Sequence, residues 1–344
     1  MSSWIIWPHS TPCDQWPQVL AYEEPWVTSA SGSSGIVEAS EDESEVTSAD
    51  GSSGIEEASK DDSDADIGVV SAVASGRFLE ESGSKPRVLR SACAPCSEKW
   101  TNQYLTSAVQ EGLEVDIDIG PPACRGHFPD TKEERLLSGV EELTVPFADL
   151  MGRLETVLPT PDHHAYLQQQ SWPFDTVFPK LSADLGTASR RLVCPIVSCL
   201  IPQSTAKVMW LGVSATCSQL HFDRKDNFIC QMAGRKEILL WPQTDSNLLY
   251  QRKDVDGSAF TDRFSEIDLR VDAKQFQIQY PFALQPLPLR VILMPGDVLF
   301  VPKNWWHIVA SRPDPERGIN LMVNIFFESH ERSKKNIELA VPQS

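Results

Sequence analysis

Beyond residue 190 the apolar positions come in short runs, at residues 208–213, 228–232, 237–241, 291–294, 298–301 and 321–327. Turn signals such as Pro295-Gly296-Asp297 separate them. Runs of this length bounded by turns predict strands, and many of them in one stretch predict a sandwich or barrel. Upstream the pattern is mixed. Residues 100–113 have helical spacing, and residues 141–158 read as an amphipathic helix with Leu143, Phe147, Leu150, Met151 and Leu154 on one side. Residues 115–119 alternate apolar and acidic, as a half-buried strand does. The fold class expected is mainly β with flanking helices, an α+β arrangement.

The first 67 residues follow no such pattern. Thr28-Ser29-Ala30-Ser31-Gly32-Ser33-Ser34-Gly35-Ile36 returns 19 residues later as Thr47-Ser48-Ala49-Asp50-Gly51-Ser52-Ser53-Gly54-Ile55. Residues 38–66 hold twelve acidic side chains against Lys60 alone. Ser, Gly and acid offer almost nothing to bury, so residues 28–67 are expected to be a disordered linker whose acid-flanked serines suit phosphorylation. Before it, Trp4, Trp7, Trp16 and Trp26 concentrate apolar area in a segment, 1–27, that either packs on the main domain or docks a partner. A domain over 85–330 and a short tail over 331–344 complete the division.

Charge and cysteine usage narrow the partners. The net charge of −18 sits mainly in the acidic segment, leaving about −4 for residues 67–344. A nucleic-acid partner is therefore possible but not favoured, since such proteins carry a basic stripe. No secretory leader or membrane span is apparent, so a cytoplasmic or nuclear setting without membrane contact is expected. Cys93 and Cys96 form a CxxC with no second pair at zinc-site spacing, and buried free thiols are the expectation.

Candidate chemistry begins at His221 and Asp223. One residue apart on a strand, they would share a face, with Phe222 on the other. A second histidine would complete a 2-His-1-carboxylate set that leaves open positions on Fe(II). His307, after the run at 298–301 and beside Trp305-Trp306, is the candidate. An isolated HxD is common as a surface pair, and a histidine beside two tryptophans is common in cores. The surrounding residues change that weighing.

Residues 220–236, LHFDRKDNFICQMAGRK, resemble the HxD…N…Q…GxK signature of the small Jumonji-C oxygenases, and residues 293–307, LMPGDVLFVPKNWWH, resemble their PGD-hydrophobic-P-x-x-W-W/Y-H segment. Tyr166-Leu167 and Phe178-Pro179-Lys180-Leu181 resemble an upstream element, and Pro242 with Leu249-Tyr250 a middle one, where Gln251 stands in place of the usual proline. The resemblance covers about residues 85–330. It implies a double-stranded β-helix (jelly-roll, cupin-like) core and Fe(II) on His221, Asp223 and His307, which are then the catalytic residues. It also implies 2-oxoglutarate and O2 as co-substrates. Lys236 would pair with the distal carboxylate of 2-oxoglutarate, with Ser218 (where the family commonly has Thr), Asn227 and Asn324 as further co-substrate contacts. Trp305, Trp306 and Phe326 are expected to wall the site.

The activity the resemblance implies is a dioxygenase, and a protein side chain is the substrate first expected. A lysine demethylase or a tRNA-modifying hydroxylase would share the core. A non-catalytic binding module would have no need of the triad and Lys236 together. Selectivity is expected to lie in rim loops such as 252–272.

Overall fold

A computed structural model describes residues 68–71 and, with short gaps, 85–327. The expectations for the Trp-rich segment 1–27, the acidic linker 28–67 and the tail 331–344 fall outside the described residues. Among the described residues fifteen strands follow one another. They are β1 (Gly68–Ser71), β2 (Arg87–Arg90), β3 (Glu114–Gly120), β4 (His127–Phe128), β5 (Glu141–Pro146), β6 (His164–Gln169), β7 (Ala206–Gly212) and β8 (Thr216–Ser218). Then come β9 (His221–Phe222), β10 (Asp226–Ala233), β11 (Arg235–Trp241), β12 (Leu289–Leu293), β13 (Val298–Val301), β14 (Trp306–Arg312) and β15 (Asn320–Phe327).

They form two sheets. The larger has the order β1-β2-β13-β10-β15-β7-β6-β3-β5, the smaller β12-β11-β14-β8-β4, with β9 paired to β14. Strands distant in sequence lie side by side, which is the crossing expected of a jelly roll rather than a meander. The core of the chain is thus the mainly β, cupin-like jelly roll with flanking helices that the sequence led one to expect.

Period 2 explains how each central strand is buried on both faces. On β10, Phe228, Cys230 and Met232 join a layer with Trp100, Leu105, Phe147 and Phe178 from the helices covering the larger sheet. Ile229, between them, faces inward with Ile238 and Leu240 of β11, Val309 of β14 and Met322 of β15. The outer face of the smaller sheet presents Leu239, Trp241, Trp306 and Ile308 to Phe276 of the helix Ala273–Gln279.

Two local readings need correction or refinement. Residues 141–158 are not one helix: β5 occupies Glu141–Pro146, and a helix follows only at Phe147–Gly152. Pairing of β5 with β3 overrides the helical spacing, with Thr144 opposite Asp116 and its hydroxyl donating to that carboxylate at 2.6 Å. Leu143, placed on the apolar side by the helical reading, is 42% exposed. The helix within 100–113 is shorter than its spacing suggested, Asn102–Ala108, capped by the Thr101 hydroxyl accepting from Tyr104 N–H. Cys93 and Cys96 are free and buried as expected, and burial pushes the Cys96 thiol up to about 12.

One glycine is required by the β10–β11 turn that carries the signature. Gly234 has φ +70°, and a Cβ there would meet Arg312 O at 2.4 Å and Asn320 Nδ2 at 2.6 Å. Gly234→Ala therefore combines left-handed strain with a backbone clash. We expect a loss of roughly 3 kcal/mol or more of stability, read as a lowered melting temperature.

Candidate metal centre

The inward faces of β9 and β14 build the centre. His221 and His307 are register partners, and their ring centroids lie 4.3 Å apart. Asp223 follows one residue after Phe222, and its carbonyl accepts from Asn304 N–H at 2.7 Å, tying the two ligand-bearing segments together. Ligand atoms of His221, Asp223 and His307 all lie within 4.8 Å of one another. His307 Nε2 is 3.7 Å from Asp223 Oδ2.

Each imidazole is oriented by a backbone carbonyl. His221 Nδ1 is 2.8 Å from Gln219 O, and His307 Nδ1 is 3.0 Å from Trp305 O. A carbonyl can only accept, so Nδ1 carries the proton in both rings and Nε2 keeps its lone pair for an ion. Burial lowers the pKa of His221, with Asp223 opposing, so the neutral ring that metals bind is favoured.

A cavity of about 280 Å³ opens onto this set. Ser218, Asn324 and Phe326, named from the sequence, line it. So do Phe128, Tyr166, Gln168, Trp210, Thr216 and Arg263, which sequence reading did not assign to the site. Most carried a usable signal. Tyr166-x-Gln168 and Val208-x-Trp210 alternate on strands, so each pair shares one face. Phe128, Tyr166 and Trp210 form a continuous aromatic wall, with successive centroids 5.7 and 6.0 Å apart.

Trp305 and Trp306 do not wall the cavity. Trp306, next to an inward histidine on a strand, must face outward; it is fully buried there against Phe222, and its Nε1 donates to Ser246 Oγ at 2.9 Å. Trp305 packs at the edge of the inner apolar layer. Ser218 reaches the cavity, yet its hydroxyl donates to Gln219 O at 3.1 Å and accepts from Val309 N–H at 3.0 Å, so it also ties the smaller sheet together.

Lys236 is fully buried on the inner face but is not part of the cavity wall. Its ammonium donates to Ser311 Oγ at 2.6 Å, and Ser311 is the register partner of the cavity-lining Thr216. Burial drives its pKa down to about 7. Asn227 is likewise fully buried off the wall, and among the described residues neither of its side-chain polar atoms has a partner, nor does Asn324 Oδ1.

These residues fit the group that the resemblance implies. Two oriented imidazoles and a carboxylate suit Fe(II). A buried cation with no carboxylate partner among the described residues suits the far end of a dianion, and orphaned amides suit its oxygens.

Comparison with known proteins agrees in family. The chain is 35% identical over 103 residues to Jumonji C domain-containing protein 5 of Drosophila melanogaster, covering 30% of this chain and 24% of that protein. It is 26% identical over 220 residues to lysine-specific demethylase 8 of Xenopus tropicalis, covering 63% of this chain and 43% of the relative. It is 27% identical over 271 residues to tRNA wybutosine-synthesizing protein 5 of Gallus gallus, covering 75% and 76%. The chain thus spans less than half the length of the first two. Residues 80–333 match the cupin-like domain family along their length, and with the jelly roll and the His-Asp-His set in place the chain belongs to that family, in its JmjC branch, whose type is the Fe(II)/2-oxoglutarate oxygenase.

Proposed function

We propose that the chain is an Fe(II)- and 2-oxoglutarate-dependent dioxygenase that hydroxylates a protein side chain. The observation that carries the reading is the convergence of His221, Asp223 and His307 on one cavity, each histidine presenting Nε2. When bound, Fe(II) with 2-oxoglutarate supplies the activation of O2 and the oxidising power. The protein does the rest. Gln219 O and Trp305 O hold the rings in the ligating tautomer, Asp223 contributes negative charge to the ion, and Lys236 supplies a fixed cation for the distal carboxylate. The aromatic wall and the apolar Val309, Ile229 and Met322 keep water from the reacting atoms.

A protein substrate is supported by the charge of residues 67–344, about −4, which offers no excess cation to follow a phosphate backbone. An RNA substrate is the second reading, favoured by the extent of the match to the tRNA wybutosine-synthesizing relative. The test is turnover of 2-oxoglutarate by the Fe(II)-loaded full chain with peptide or RNA pools, followed by mass analysis. Gain of one oxygen on a peptide is expected. Gain on RNA alone, or removal of a methyl group, would replace this reading.

A further inference from the structure

Two connections pass between the sheets side by side, and the metal centre hangs on both. Residues 223–225 lead from β9, on the smaller sheet, to β10 in the larger, and residues 302–305 lead from β13 in the larger to β14 in the smaller. The first connection carries Asp223, and the second ends two residues before His307.

The three ligands are not equally supported. His221 and His307 hold each other through the backbone, as register partners on β9 and β14. Asp223 lies outside the ladders: β9 ends at Phe222, and the pairing of β10 with β13 starts at Asn227. The second connection holds it instead. Asn304 N–H donates to Asp223 O at 2.7 Å, and the N–H just before it, of Lys303, donates to Asp226 Oδ1 at 2.9 Å. Two successive N–H groups of one turn thus grip the first connection at both ends.

Asp226 opens β10 and by alternation shares the outer face with Phe228, away from the cavity that Ile229 lines. Its side chain is buried, has no ion pair among the described residues and makes one hydrogen bond there, the one to Lys303. A bond from N–H to a carboxylate is charge-assisted and stronger than one to a neutral oxygen. The turn needs such a hold. Asn304 stands at φ +66°, in the left-handed region, which persists in a residue with a side chain only where the surroundings enforce it. The turn's own closing bond, from Trp305 N–H to Pro302 O, is long at 3.3 Å. The same turn presents Trp305 O to His307 Nδ1.

We propose that Asp226 is a positioning residue for the metal centre: by holding Lys303 N–H it fixes the 302–305 turn, and through that turn the place of Asp223 and the orientation of the His307 ring. It lies off the cavity wall and acts only through the backbone. The proposal rests on the reading of His221, Asp223 and His307 as a metal centre.

The test uses full-length protein with Mn(II) as the probe of affinity and Co(II) as the probe of geometry. Asp226→Ala should bind Mn(II) about tenfold more weakly, since losing a group that orients a ligand costs roughly 10–100-fold and this one acts through a turn. Asp226→Asn, whose amide oxygen can still accept from Lys303 N–H, should stay close to wild type. Asp226→Glu keeps the charge but pushes the carboxylate out by one methylene, so it should lose affinity as Ala does; it carries the test if the Ala variant does not fold. The visible absorption of bound Co(II), which follows coordination geometry, should change in the Ala and Glu variants and not in Asn. Metal-free melting temperatures should fall by no more than about 4 °C, the scale of one hydrogen bond. Wild-type Mn(II) affinity and an unchanged Co(II) spectrum in the Ala and Glu variants would overturn the proposal and leave the metal centre standing. Metal-free melting temperatures that fall in step with the lost affinity would also overturn it, by making Asp226 a structural residue. A wild type that takes up neither ion would remove the metal centre itself, and the proposal with it.

Discussion

Asp223→Ala should yield a folded protein whose Fe(II) affinity has fallen by more than about 100-fold and whose Fe(II)-dependent consumption of 2-oxoglutarate is lost. Asp223 is the only carboxylate of the candidate set, and two neutral imidazoles alone hold a hard ferrous ion poorly. Changing a group that merely supports a ligand costs roughly 10–100-fold in metal affinity, so removing the ligand should cost more. Stability should change little, because the fold's link to this residue is its backbone carbonyl, which Ala retains. Equilibrium dialysis against Fe(II) under anaerobic conditions measures the first effect and a thermal melt the second. Wild-type affinity in the variant would remove Asp223 from the site.

The second large effect is expected at Lys236. Lys236→Met should raise the half-saturating 2-oxoglutarate concentration by about 100-fold, the scale of a buried charge left without its partner. Fe(II) binding should be nearly unaffected. The ligand-free protein should melt no lower than wild type, since Met replaces a buried ammonium held by Ser311 alone among the described residues. The pH dependence has a definite sign. In the folded protein the pKa sits at about 7, against 10.5 for an ordinary lysine. Between those values the unfolded chain holds a proton that the folded chain has released, so the contribution of Lys236 to stability rises with pH across that window. Below it the folded protein carries the full cost of a buried ammonium. The variant should show no such rise. Above pH 7, wild type should take up a proton as 2-oxoglutarate binds, seen as a buffer-dependent heat in calorimetry, and Lys236→Met should not.

Much of this was legible because periodicity and chemistry coincide on strands. HxD puts two ligands on one face only if the chain is extended there, and β9 provides that. The same alternation should have moved Trp306 away from the site, since neighbours on a strand point to opposite sides; the residue's place in the motif hid that consequence. The helix expected over 141–158 failed for a different reason. Leu143, Phe147 and Leu150 satisfy helical spacing, but the open edge of β3 supplied a backbone partner that no local pattern reports. Arg263 was hidden because it sits in a rim loop, where the contacts Arg224–Asp262 and Phe264–His221 hold the turn at the cavity. Those contacts are nonlocal and have no sequence period. Lys236 is the intermediate case: its inward face follows from alternation with Ile238 and Leu240, whereas its bond to Ser311 of β14 is a nonlocal contact that no local pattern reports.

The central claim, that His221, Asp223 and His307 make an iron centre which spends 2-oxoglutarate, is tested most directly by counting succinate. Full-length protein loaded anaerobically with Fe(II) and 2-oxoglutarate is exposed to O2, and succinate is quantified beside His307→Ala treated identically. Succinate is expected from the wild type in proportion to O2 consumed, and none above background from the variant. Equal succinate from both, or none from a wild type shown to have bound one Fe(II), would contradict it.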